Sequence, residues 1–182
     1  MSKYILGHRA QTRADAIRYT LWTGCVLLLV AVLQVSVLAR FRPLGAVPDL
    51  MLCTVLCCAF FGGRYMGGIV GIAGGFLIGA MGSVSWLCLL PLCFFFLGYL
   101  TGYYARVLSQ SGYLSYLIYL GSALVLRVIL TTVDTYVHYS NVAPGQLILQ
   151  TLLPEAIGTA ALGCVLYFPM LLFFRVLEGR KR

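Results

Sequence analysis

The sequence predicts an all-α membrane protein of six transmembrane helices, and three observations carry that prediction. Of 182 residues, 61% are hydrophobic and only 10% are charged, with a mean hydropathy of +0.94. A water-soluble globule carries about a quarter of its residues as charges. The apolar residues come in unbroken runs such as CVLLLVAVL and LCFFFLGYL, where the strands of a membrane barrel would alternate with period two. Backbone groups in lipid pair within their own segment, so such runs form helices. Finally, the connections between runs are short and leave no space for a soluble domain.

In chain order the runs cover residues 17–39, 47–61, 65–81, 84–105, 113–137 and 147–176. They form one transmembrane domain, 17–176, between two basic tails at 1–16 and 177–182. The second run is shorter than the roughly 20 residues that a bilayer core requires. Two readings of it stand, a full span and a re-entrant hairpin made with the third run, and both return the chain to the side it left. The first run is longer than the apolar region of a signal peptide, so it is expected to remain as a helix although VLA at residues 37–39 resembles a cleavage site.

Orientation follows from the basic residues. With the N-terminus inside, Lys3, Arg9, Arg13, Arg18, Arg64, Arg106, Arg175, Arg180, Lys181 and Arg182 are cytoplasmic, and Arg40 and Arg42 are outside. The imbalance places both termini in the cytoplasm. Trp22, Tyr103, Tyr104, Tyr113 and Tyr116 are then expected at the inner interface, and Trp86, Tyr136 and Tyr139 at the outer one. The net charge of +8 sits in tails and corners, where anionic lipid is a sufficient partner; no nucleic-acid partner is expected.

Seven cysteines lie within the apolar runs and His8 and His138 stand alone, so neither a disulfide framework nor a zinc site is predicted. Buried thiols act as small hydrophobes. No metal-binding or nucleophile motif is present. The chain is expected to be neither an enzyme nor a cofactor carrier.

Two sets of residues are the candidate functional ones. Gly63, Gly67, Gly71, Gly75 and Gly79 recur every four residues, which aligns them on one face of the third helix, and Gly98 and Gly102 repeat the spacing in the fourth. Such a face lets another helix approach closely. Packing inside the subunit is favoured over an oligomer face. The second set is Arg127, Asp134 and Glu155, charges within apolar helices. By helical rise, Arg127 lies roughly 15 Å and Glu155 roughly 12 Å below the outer ends of their runs. An unpaired arginine there is costly, by about 2.5 to well over 10 kcal/mol. Arg127 is therefore expected to meet Glu155, directly or through water, with Asp134 as an alternative partner. A structural ion pair and a functional site both remain open. Pro48 and Asp49 read as a helix start, with proline in the first turn and a carboxylate capping free N–H groups. Arg64 reads as a cytoplasmic corner within reach of lipid phosphate.

Taken together, PDLMLCTVLCCAFFGGRYMGGIVGIAGGFLIGAMG at residues 48–82 and LCLLPLCFFFLGYLTGYYAR at residues 87–106 resemble the bacterial rod shape-determining MreD family. The resemblance lies in a Pro-Asp helix start, a Gly/Arg corner, a glycine-rich helix and a helix ending in Gly-Tyr-x-x-Gly, in that order. Many members carry an acid late in the glycine-rich helix where this chain has Gly79-Ala80-Met81, so no role of that acid is transferred. The resemblance implies a non-catalytic scaffold of the cell-elongation machinery. Its implied partners are the bitopic protein MreC, the actin homologue MreB, the glycosyltransferase RodA and a class B penicillin-binding protein. It also implies a bundle similar to the six-helix substrate-binding subunits of energy-coupling-factor (ECF) vitamin transporters, which makes such a subunit the rival reading. In those subunits small residues spaced by four on the first helix dock the coupling protein. Here that helix offers Ala31 and Val35, and Ala10 and Ala14 fall in the polar tail.

Overall fold

The helix Leu50–Gly62 is buried along ten consecutive residues, Leu50 to Ala59, and the other helices are arranged around it. A helix apolar on every side belongs in the interior, which accounts for its having no polar stripe. The computed structural model describes the backbone at residues 13–41, 47–81, 89–107, 112–138 and 152–179, with side chains described at 21–40, 47–81, 90–105, 112–133 and 152–174.

The described chain is helical throughout, apart from short caps and turns. Helix α1 (Arg13–Leu33) runs through a wider π turn (Gln34–Leu38) into a last short turn (Ala39–Phe41). Then come α2 (Leu50–Gly62), α3 (Arg64–Met81), α4 (Leu89–Val107), α5 (Tyr113–His138) and α6 (Leu153–Gly179). Four of these contain stretches long and apolar enough to cross a membrane: Leu21–Leu38, Arg64–Met81, Tyr113–Val133 and Leu153–Phe174. The apolar stretches Leu50–Gly62 and Leu90–Ala105 are shorter. The protein is thus an all-helical membrane protein. α1 begins four residues before the apolar run, because RADA in front of it consists largely of good helix formers. The connection at 82–88, Trp86, Tyr139, both chain ends and the side chains of Arg106, Asp134 and Tyr136 lie outside the described residues.

α2 touches all five other helices. Its start is set by Asp49, whose side chain caps the first turn, and its end by Gly63. Gly63 has φ 86°, a left-handed value that side chains resist. Its N–H donates to the Ala59 carbonyl and its own carbonyl accepts from Gly67 N–H, both at 2.9 Å. One glycine therefore closes α2 and opens α3.

The glycine stripe packs inside the subunit, against α4. A Cβ on Gly67 would strike the Gly98 carbonyl, one on Gly71 the Phe94 carbonyl, one on Gly75 the Pro91 backbone, and one on Gly102 the backbone of Gly63 and Arg64. Position falls on α4 as it rises on α3, so the two helices are antiparallel with backbones in contact. Dispersion and Cα–H···O contacts hold such a face in lipid, where the hydrophobic effect gives helices no reason to associate. Gly79 is buried on the same helix, and Gly74 faces Met51 and Val55 of α2. The opposite side of α3, with Tyr65, Ile69, Ile72 and Phe76, is exposed.

α5 turns Tyr116, Leu120 and Ala123 inward, and α6 turns Thr159, Tyr167, Met170 and Phe174 inward, at the three- and four-residue spacing of one helical face. Near the Gly63 end of α2 they join an aromatic cluster in which Phe60, Tyr116 and Tyr167 have centroids 5.0 to 6.4 Å apart. Tyr116, fully buried, donates its hydroxyl to the Gly163 carbonyl at 3.3 Å.

Substituting Gly71 by Ala is expected to destabilise the protein by about 1–3 kcal/mol, the usual cost of overpacking. Gly24, with nothing within 4 Å of an added Cβ, is expected to tolerate Ala or gain up to about 1 kcal/mol from helix propensity. Unfolding titrations in mixed micelles check both.

Candidate functional site

The charged residues gather where α2 begins. Pro48 precedes the helix with its ring against Gly158 of α6, and the next residue, Asp49, is only 1% exposed. A buried carboxylate survives only when it is paired and hydrogen-bonded, and Asp49 is held from four helices. Its Oδ1 accepts from Leu52 N–H of α2 at 3.0 Å and, at 3.4 Å, from the Gln34 amide of α1. Its Oδ2 lies 2.9 Å from Arg127 Nη2 of α5. That contact is a charge pair, since Oδ2 has no hydrogen-bond partner among the described residues. Its backbone N–H donates to the Thr159 hydroxyl of α6 at 2.9 Å.

Each partner is fixed in turn. Gln34 opens the π turn of α1, and its Oε1 accepts from Met51 N–H at 2.9 Å, so one side chain engages both the cap and a free donor of α2. Thr159 accepts from Asp49 and donates to the Glu155 carbonyl one turn earlier at 2.7 Å. Arg127 has its guanidinium carbon 5.8 Å from the centroid of Phe94 on α4, within cation–π range. The carboxylate at the positive end of α2 also gains from the helix dipole.

Arg127 and Glu155 come together as the sequence predicts, with Nη2 donating to Oε1 at 3.5 Å. The stronger partner of Arg127 is Asp49, which the sequence reading treats only as a helix cap. Glu155 lies in the first turn of α6 as described, and residues 147–151, from which the sequence reading counts its depth, lie outside the described residues. Asp134 lies on α5, but its side chain is outside the described ones. Arg64 is at the other end of α2, with its guanidinium 4.7 Å from the Tyr65 ring and Nη2 donating to the Tyr65 hydroxyl at 3.0 Å. The glycines line the α3–α4 contact and take no part in the charged cluster. Gln34 and Thr159 were not singled out from sequence. Their one signal is that each is a hydrogen-bonding side chain in an otherwise apolar stretch.

Beside the cluster, between Leu124 and Val128 of α5 and Leu152 and Ala156 at the head of α6, a cleft of about 10 Å³ reaches Arg127, Glu155 and Thr159. It has space for roughly one water. Arg127 Nε is buried and has no hydrogen-bond partner among the described residues. No three His, Cys, Asp or Glu side chains converge on a metal position among the described residues.

Fold and site together define a helical membrane protein with an ion-paired interior. Comparison with protein-family profiles, curated proteins and solved structures found no match for the chain.

Removing Asp49 strands Arg127 in the interior, so Asp49→Ala is expected to cost about 3–5 kcal/mol, the range for breaking a buried pair. Glu155→Gln keeps shape and hydrogen bonding and is expected to cost about 1 kcal/mol or less. Double-mutant cycles read by unfolding should give a larger coupling for Asp49–Arg127 than for Arg127–Glu155. Reversing both charges, Arg127→Glu with Glu155→Arg, should not restore stability, because Asp49 would then face a new carboxylate.

Proposed function

We propose that this chain is a non-catalytic scaffold subunit of the bacterial cell-elongation (rod) complex, an MreD-like protein of the cytoplasmic membrane. In this reading all six helices cross the bilayer and both termini are cytoplasmic. The chain supports cell shape and peptidoglycan synthesis by binding an MreC-like bitopic protein and associated wall-synthesis proteins, among them RodA, a class B penicillin-binding protein and MreB. Membrane lipid is its solvent.

The observation that carries the proposal is the use to which the charges are put. Asp49, Arg127, Glu155, Gln34 and Thr159 tie four helices together, and among the described residues the cleft beside them, about 10 Å³, has space for roughly one water. A charged interior spent on architecture suits a scaffold better than a vitamin carrier of the ECF type. The Pro-Asp start, the Gly63 corner, the glycine face of α3 and Gly98–Gly102 of α4 also form one contiguous unit, so the motifs that carry the resemblance are neighbours in space.

The test is affinity purification of the tagged protein in mild detergent, with mass spectrometry of bound proteins and of extracted small molecules. Recovery of an MreC-like protein, RodA or the penicillin-binding partner without a stoichiometric metabolite is the expected result. Coupling ATPases or a bound vitamin overturn the scaffold reading.

A further inference from the structure

Arg127 brings one more donor to the cluster than the cluster uses. Its Nη2 contacts Asp49 at 2.9 Å and Glu155 at 3.5 Å, whereas its Nε is buried and has no hydrogen-bond partner among the described residues. Glu155 has acceptor capacity to spare. An ionised carboxylate can take about four hydrogen bonds. Among the described residues this one takes a single bond, from Arg127 Nη2 at 3.5 Å, beyond the usual range of about 2.7–3.2 Å. Arg127, Glu155 and Thr159 line the cleft between α5 and α6, and its other walls, Leu124, Val128, Leu152 and Ala156, are apolar. The residue with the unused donor and the residue with the unused acceptor therefore border one space.

A buried N–H without a partner is costly and rare in folded proteins, and the chemistry of the walls limits what can answer it. A cation would meet the N–H groups of Arg127, and an anion would meet the carboxylate of Glu155. An apolar group would leave both unsatisfied. The occupant has to be neutral, and it has to accept from one wall while donating to the other. Size narrows the choice further, because about 10 Å³ corresponds to roughly a single water. A held water needs about two to four polar partners. The cleft offers Arg127 Nε–H, the Glu155 carboxylate and the remaining lone pair of the Thr159 hydroxyl, which accepts from Asp49 N–H and donates to the Glu155 carbonyl.

We infer that this cleft is a binding site for one ordered water, which accepts a hydrogen bond from Arg127 Nε–H and donates to the Glu155 carboxylate. The water makes a second link between α5 and α6 beside the long Nη2 contact, while the Asp49–Arg127 pair remains direct. The tie from α5 to α2 is therefore dry, and the tie from α5 to α6 is wet. A bound water involves no partner protein, so this site and the scaffold reading stand or fall separately.

The test uses the full chain in lipid nanodiscs, labelled with nitrogen-15 at arginine Nε and observed by nuclear magnetic resonance. Guanidinium N–H groups in contact with bulk solvent exchange rapidly, so a protected Nε–H signal is expected for Arg127, and its loss in Arg127→Lys assigns it. Cross-relaxation with water is then read in the laboratory frame and in the rotating frame. A bound water gives cross-peaks of opposite sign in the two experiments, whereas proton exchange gives the same sign in both. The wild type is expected to show the opposite-sign pair. Ala156→Val, which adds two methyl groups to the wall of the cleft, should abolish the water cross-peak while the Nε–H signal itself remains. Circular dichroism verifies that each variant is folded, and Val128→Ile takes the place of Ala156→Val if that variant is unfolded. A resolved Arg127 Nε–H with no water cross-peak overturns the inference. So does a cross-peak that survives the filling of the cleft, since it then arises from the Thr159 hydroxyl exchanging its proton with water. An Arg127 Nε–H that exchanges as fast as those of exposed arginines overturns it too, because that group then opens to bulk solvent.

Discussion

The arrangement of this bundle depends on the burial of one carboxylate at the head of one buried helix. α2 is surrounded on all sides, so its first turn opens into protein instead of water, and the free N–H groups there need a partner that does not come from solvent. Asp49 supplies it. Once that charge is inside, its compensation recruits α1 through Gln34, α5 through Arg127 and α6 through Thr159. Polar contacts in hydrocarbon have few alternatives, so they fix the register of helices whose remaining contacts are nondirectional.

The opposite solution governs α3 and α4. Their contact contains no charge and almost no side chain, and it depends on backbones meeting at Gly67 with Gly98, Gly71 with Phe94, and Gly75 with Pro91. The bundle therefore combines a geometric contact on one side of α2 with an electrostatic one on the other. The Gly63 corner joins the two, since it ends the helix that carries the cap and starts the helix that carries the glycines. The aromatic cluster of Phe60, Tyr116 and Tyr167 closes the end of α2 remote from Asp49.

Much of this was legible in the residues. Continuous apolar runs marked the helices, the four-residue spacing of glycine marked a packing face, and the cost of a charge in lipid brought Arg127 and Glu155 together. Asp49 was legible as a cap because that role is local. Its pairing with Arg127 was not, because no periodicity links residues so far apart in the chain, and a side chain with an adequate local role hides a second one. Gln34 and Thr159 escaped for the same reason. Each reads as a tolerable polar residue in an apolar helix until the fold brings it to Asp49. The described helix α6 opens at Leu153 beside Pro154 and places Glu155 in its first turn.

The placement of Asp49 also constrains the order of assembly. Its backbone partner Thr159 lies 110 residues further along the chain, and Arg127 is likewise downstream. A nascent chain that has delivered α1 to α4 holds a carboxylate whose strongest partners have not been synthesised. At that stage Gln34 and the first turn of α2 are its available donors, and an unpaired carboxylate either stays in contact with water or takes up a proton. The α3–α4 contact, made by backbones, does not wait for that charge to be paired. The set of contacts around Asp49 is complete only when the chain has reached α6.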